Sequence, residues 1–255
     1  DLPLSRGLGD VYKRQFITKR AMAITKQEND SIFIHSDTLM ITGPPDQRIV
    51  RAFYNAKMYK SDLSGKADSI HMNQKTGLTQ LINFYDTKSE DLFSKRKYPI
   101  LWHHENQITG DSIHLISNSK TENLDSLKVF ENAFVISKDS LGAGYNQISG
   151  KKLNGFFKEN KLYTIDVIKN VESIYFLRDA ENELVGIDKS KSGKMRIWLS
   201  ENKIDELRKI NQIDGKTYPE DEFPENERIL KGFIWREAER PRSVKDLFSE
   251  DPPLV

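Results

Sequence analysis

A short phrase recurs along the chain and restricts it to a fold built of strands. Asp30-Ser31-Ile32-Phe33-Ile34 returns as Asp68-Ser69-Ile70-His71-Met72 and as Asp111-Ser112-Ile113-His114-Leu115, and more loosely as Glu172-Ser173-Ile174-Tyr175-Phe176. In each copy the third and fifth positions are apolar. Successive side chains of a strand point to opposite faces, so these two positions share one face. The acidic residue has the same parity but opens the strand, where it can sit at the rim. Serine takes the other parity and faces outward.

A second phrase, Ile/Leu-Thr/Ser-Gly, occurs at Ile41-Thr42-Gly43, Leu63-Ser64-Gly65, Ile108-Thr109-Gly110 and Ile148-Ser149-Gly150, with a partial copy at Ser192-Gly193. The glycines lie 22, 45, 40 and 43 residues apart, close to one or two multiples of a unit of about twenty residues, the size of a two-strand repeat. Glycine after such residues suits a turn or a bend at a strand end. Further alternating stretches are Leu162–Val167 and Met195–Leu199. Polar clusters at Lys158–Lys161, Asp179–Glu183 and Lys189–Gly193 read as turns. Many short strands with regular turn signals predict an all-β sandwich, roll or barrel. One helix is expected, Glu201–Ile210, with Ser200 as N-cap and Ile204, Leu207 and Ile210 spaced by three. From Asp214 the texture changes to an acidic, proline-marked connection, followed by the apolar patch Leu230–Trp235 and by Arg240-Pro241-Arg242.

Composition narrows the function. The 255 residues carry 39 basic and 38 acidic side chains, a balance that argues against nucleic-acid binding through a strong basic field. Hydrophobic residues make up only 37% and the mean hydropathy is −0.63, lean for a compact enzyme. The aromatic content of 10% is nevertheless too high for a disordered chain. With no cysteine there is no disulfide framework, thiolate nucleophile or Cys-ligated metal site. No apolar run reaches the roughly eighteen residues that a membrane-spanning helix needs. The opening segment Asp1–Gln15 looks foreign. Its last six residues back-translate as GAT GTG TAT AAG AGA CAG, the transposon end used as a sequencing-library adapter, so a native N-terminus with its export signal is expected upstream of Phe16. Without the segment, acidic and basic residues are equal in number.

Candidate chemistry is sparse. His103-His104 is the most conspicuous pair, but adjacent strand residues face opposite ways and do not readily share a metal. His71 and His114 hold equivalent outward positions of the repeat. Gly142-Ala143-Gly144 begins like a dinucleotide fingerprint, lacks the third glycine and a following helix, and reads as a hairpin turn. No P-loop, nucleophile elbow or His-Glu-x-x-His is present, and no carboxylate pair stands out as glycosidase-like. The inward apolar positions remain. They fill either an ordinary core or a lipid groove, where each buried methylene contributes about 0.8 kcal/mol.

Several stretches resemble the OstA-like proteins of Bacteroidetes-type bacteria, which belong with the periplasmic lipopolysaccharide-transport proteins of the LptA kind. They are Pro99-Ile100-Leu101-Trp102 with Asn106–Ile113, Asn146–Phe157, Asn170–Phe176, and Gly232-Phe233-Ile234-Trp235 with Arg240-Pro241, together spanning about Asp30 to Phe248. The resemblance implies an elongated antiparallel β-jellyroll, a V-shaped roll over residues 16–213. Residues 214–255 would be a linker followed by a cap over the last strand edge, or by a docking element anchored by Trp235. It implies a non-catalytic, cofactor-free protein of the periplasm, associated with the outer membrane. The apolar interior would hold the acyl chains of lipopolysaccharide, at Ile32, Ile34, Ile70, Met72, Ile113, Leu115, Ile174 and Phe176. Its partners would be the jellyrolls of the inner- and outer-membrane complexes, or further copies joined head to tail by edge-strand pairing. Two other readings stay open: a structural or adhesive cell-surface β-repeat protein with a filled core, and a carbohydrate-active β enzyme.

Overall fold

The chain is an all-β jellyroll, and what shapes it is a bend repeated in its long strands. The computed structural model describes residues 14–26, 30–44, 47–83, 99–121, 123–139, 141–200 and 203–251. Most of the foreign-looking opening segment, residues 1–13, lies outside them. Fourteen strands follow one another: β1 (Gln15–Lys26), β2 (Ser31–Thr42), β3 (Ile49–Lys60), β4 (Leu63–Asn73), β5 (Leu78–Ile82), β6 (Ile100–His103), β7 (Asn106–Thr109), β8 (Ser112–Ser117), β9 (Leu124–Lys138), β10 (Tyr145–Lys158), β11 (Lys161–Arg178), β12 (Leu184–Ser200), β13 (Lys203–Ile210) and β14 (Asp214–Tyr218). All pairing between them is antiparallel, mostly between chain neighbours joined by tight turns. At the β10–β11 hairpin, Glu159 and Asn160 both have positive φ, at 52° and 62°, the two-residue turn that matches strand twist.

The long strands lose register at mid-length. The breaks fall between Thr18 and Ala21, Phe53 and Ala56, Ser149 and Lys152, and Ile168 and Val171. In β1, β3, β9 and β11 the break is a pair of left-handed residues: Lys19-Arg20, Tyr54-Asn55, Glu131-Asn132 and Lys169-Asn170. Asparagine, the second member in three of them, tolerates that conformation best among non-glycine residues. Facing these pairs is a small residue followed by a polar one or glycine: Ser36-Asp37, Ala67-Asp68, Gly110-Asp111, Gly150-Lys151 and Ser192-Gly193. A Cβ on Gly110 would collide with Val129 Cγ1, and one on Gly150 would stand 2.5 Å from Val167 Cγ1. Asn55 Nδ2 donates to Asp37 Oδ2 and Asn132 Nδ2 to Asp111 Oδ1, both at 2.9 Å. The acidic residue of the repeated phrase therefore marks the bend at Asp68 and Asp111. At Asp30 it precedes a strand and caps Ser31 and Ser61 instead.

Aligned bends crease the sheet into two leaves. Leaf A runs β1-β2-β3-β4-β5-β8-β9-β10-β11-β12-β13. Leaf B takes the other halves of the long strands, with β6 and β7 replacing β5 and β8, and β14 replacing β13. The main core lies between the leaves and joins Leu39, Val50, Ile70, Leu81 and Ile113 of leaf A to Ile34, Met58, Leu101, Ile108 and Val135 of leaf B.

The helix expected over Glu201–Ile210 is a strand over its described part, Lys203–Ile210. β13 pairs with β12 as Leu199↔Ile204 and Ile197↔Leu207, with a register shift between Trp198 and Leu199. A bulge adds one residue to a strand, so Ile204 and Leu207, three apart, both pack on the core. A helical spacing was thus produced by a bulged strand. Lys189–Gly193, read as a turn, also lies within a strand. It continues β12, with Lys189 and Lys191 facing outward and Ser190 and Ser192 buried. Lys158–Lys161 and Asp179–Glu183 are turns as expected.

Residues 219–251 form no strand. They cross the outer face of leaf B as a strap containing four one-turn 3-10 segments, Glu220–Glu222, Glu225–Glu227, Glu237–Glu239 and Lys245–Phe248. Phe223 and Leu230 pack with Phe134, Ile136, Ile174, Phe176 and Ile187, and Phe233 and Trp235 flank them. Fully burying one such side chain contributes about 1.5–3 kcal/mol.

Candidate functional site

The inner faces of the two leaves form a trough that is closed at the crease and loosens toward the strand tips. Ile34 of leaf B and Ile70 and Ile113 of leaf A are each 0% exposed. Ile32, Met72 and Leu115 lie two residues further toward the tips. There the leaves part into a cavity of about 600 Å³, lined by Ile24, Ile32, Met72 and Thr79 with Lys26 and Arg48 at its rim. Through Ile32, Thr79 and Ser117 it adjoins a cavity of about 30 Å³, walled by Met58, Leu63, Leu115 and Leu124 and containing Lys60, Asp62 and His103. A third, about 20 Å³, lies between Val135 and Ile148 of leaf B and Ile165, Ile197 and Leu199 of leaf A. The structure thus brings six of the eight expected residues, Ile32, Ile34, Ile70, Met72, Ile113 and Leu115, to one interior.

Ile174 and Phe176 lie elsewhere, on the outer face of leaf B beneath the strap. The physical reason is the position of the bend. At Asp68 and Asp111 it coincides with the acidic residue, whereas in β11 it falls at Lys169-Asn170. Val171 therefore takes the inward place, and Ile174 has the opposite parity.

The polar residues of the trough have specific settings. His103 is 3% exposed. Burial, then the neighbouring charge of His104, pulls its pKa down to about 4, so it is neutral near pH 7. Its ring stands edge-on to His104 and to Phe157, at 4.4 and 5.7 Å between centroids. His71 and His114 are on the outer face of leaf A. Gln80 lies between them and reaches His114 Nε2 at 3.1 Å. Burial lowers the pKa of both. Among the described residues no three His, Asp or Glu side chains are placed to hold a metal. Gly142–Gly144 form the β9–β10 turn, where the Asp139 N–H donates to Gly144 O at 3.0 Å.

The seat of the strap depends on residues that the repeat pattern did not single out. Gln147 Nε2 donates to Arg228 O, and its Oε1 accepts from the Leu230 N–H, both at 2.8 Å. Gln107 does the same with Ile234 O and the Arg236 N–H, both at 2.7 Å. Each amide pairs with the strap backbone much as a strand would. The available signal was the shared Asn-Gln-Ile order at Asn106–Ile108 and Asn146–Ile148. Further along, Lys66 Nζ reaches Glu239 at 3.0 Å and Glu250 at 2.6 Å. The Arg236 guanidinium bonded to Glu239, helped by Lys66, holds that carboxyl down to about 2. His35, 2% exposed, meets Asp251 at 2.9 Å, and its ring lies tilted against Phe248 at 4.5 Å between centroids. Burial lowers the pKa of Lys57, with Glu250 opposing.

Fold and site together define a class: an antiparallel jellyroll creased into two leaves over an apolar trough, with one outer face strapped. No protein-family model and no curated protein matches the chain. Among solved structures it is similar to that of LptH, the LptA homologous periplasmic component of the conserved lipopolysaccharide transport device from Pseudomonas aeruginosa. The match covers 62% of this chain and 99% of that one, at 12% identity and a TM-score of 0.43.

Proposed function

We propose that this protein is a non-catalytic lipid-binding module of lipopolysaccharide transport. It would work in the periplasm in association with the outer membrane and hold acyl chains between its leaves. The carrying observation is the trough itself. Two apolar leaf faces close on each other at the crease and part at the tips into about 600 Å³, within the roughly 300–1,000 Å³ of small-molecule sites. Ile32 and Met72 are apolar surface a chain meets there, Leu115 follows in the adjoining small cavity, and Lys26 and Arg48 at the rim suit an anionic headgroup. Chains reaching Ile34, Ile70 and Ile113 must part the leaves. The order of the phrases shared with the OstA-like family supports the same reading. The outer edges of β1 and of β13 and β14 carry no further strand among the described residues, which suits head-to-tail joining with related jellyrolls or further copies.

The test is lipid extraction from the purified protein with mass spectrometry, followed by photo-crosslinking with a diazirine fatty acid. Adducts are expected at Ile32, Met72 and Leu115, and Ile32→Asp should cut crosslinking several-fold while the melting temperature holds. A protein that copurifies without lipid and takes no label would favour a filled structural β-repeat. Turnover of a glycan would favour the enzyme reading.

A further inference from the structure

Two buried polar atoms stand out in the trough. His103 Nε2 and Asp62 Oδ1 are both shielded from solvent and have no hydrogen-bond partner among the described residues. Both residues line the same small cavity, whose walls are Ile32, Met58, Leu63 and Leu115. The nearest charge to Asp62 Oδ1 is Lys60 Nζ, at 3.7 Å, beyond hydrogen-bonding reach. β-pairing of Leu63 with His103 fixes the two side by side at the leaf B tip. Stranded polar atoms of this kind are costly and are normally satisfied by a bound group.

The chemistry of the pair selects that group. A carboxylate oxygen only accepts, so Asp62 requires a donor. Neutral imidazole offers Nε2 as N–H or as lone pair. A hydroxyl can donate to Asp62 and accept from His103 at once. An ester or ketone oxygen cannot donate, and a methylene satisfies neither. We propose that Asp62 and His103 form a hydroxyl-reading point in the trough, so that the preferred ligand is an acyl chain with a hydroxyl near its head end. This rests on the lipid-binding reading above and adds to it which chains are favoured. The cavity of about 30 Å³ has room for one water, or for the hydroxyl that displaces it. Its junction with the larger cavity at Ile32 lets the rest of the chain continue along apolar surface.

The experiment is competition on the full chain, with cis-parinaric acid as the fluorescent probe and tetradecanoic or 3-hydroxytetradecanoic acid as competitor at pH 7. One satisfied buried hydrogen-bonding group is worth about tenfold in affinity, so the hydroxy acid is expected to displace the probe at about one tenth the concentration. His103→Phe and, separately, Asp62→Ala should abolish that ratio, bringing the two acids to equal displacing concentrations. Asp62 lies in the turn before β4 with its side chain 28% exposed, outside any strand, so its variant remains informative if His103→Phe folds poorly. Equal displacement by both acids, or a ratio that survives both substitutions, overturns the hydroxyl reading and leaves lipid binding intact. Failure of the probe and of both acids to bind overturns the lipid reading and this one with it.

Discussion

Replacing Gln147 with methionine tests whether the strap is held by amide clamps or only by its apolar anchors. Gln147 is 0% exposed and Leu230 is 5% exposed, so the variant strands the Leu230 N–H where water does not reach. Arg228 is half-buried, and its carbonyl can regain part of its hydration. A stranded buried donor costs about 1–3 kcal/mol and a lost, rehydrated acceptor about 0.5–1 kcal/mol. Methionine keeps the volume, so packing adds little. The expected loss is therefore about 1.5–4 kcal/mol, or roughly 3–16 °C in melting temperature for a chain of this size if unfolding is concerted. Hydrogen exchange locates it: amides from residue 228 to 236 should exchange faster, while those of leaf A keep their protection. A melting temperature within about 1 °C of the parent, with unchanged exchange over that span, would refute the Gln147 clamp and leave the apolar anchors Phe223 and Leu230 to hold this stretch.

Acid should loosen the far end of the strap. Salt bridges to Arg236 and Lys66 hold the folded pKa of Glu239 down to about 2, against an ordinary value of 4.5. Its stabilising effect is therefore fully present above about 4.5 and is lost as pH falls toward 2. Glu239 is 28% exposed, which limits the effect to about 1 kcal/mol. Pepsin cleavage within residues 236–251 should rise across that window, and Glu239→Gln should flatten the rise. At the crease, Gly110→Ala should destabilise by about 1–3 kcal/mol through overpacking on Val129, read as a lower urea midpoint. Pairing it with Val129→Ala should recover part of the loss, and a null effect of the single variant would mean that the crease is not tightly packed there.

The all-β class was legible because inward positions repeat with period two, and that period survives wherever a strand runs unbroken. It failed at irregularities. The bulge between Trp198 and Leu199 turned β13 into an apparent helix. The bend at Lys169-Asn170 inverted the parity of Ile174 and Phe176. The path of residues 219–251 was illegible for a different reason. A strap without regular structure has no periodicity, and its anchors on the sheet, Gln107 and Gln147, are polar residues that read as surface. His103 stood out only as half of a histidine pair weighed for a metal, since an unpartnered ring nitrogen exists only once strand neighbours are placed.

The bends have a further consequence for how such a protein can change length. Left-handed pairs on β1, β3, β9 and β11 are each matched by a small residue on the next strand, so each of these four hairpins brings both halves of its own hinge. No single position sets the angle between the leaves. Hairpins can be gained or lost one at a time without reshaping the cross-section, which makes the span of the protein adjustable in steps while its gauge stays constant.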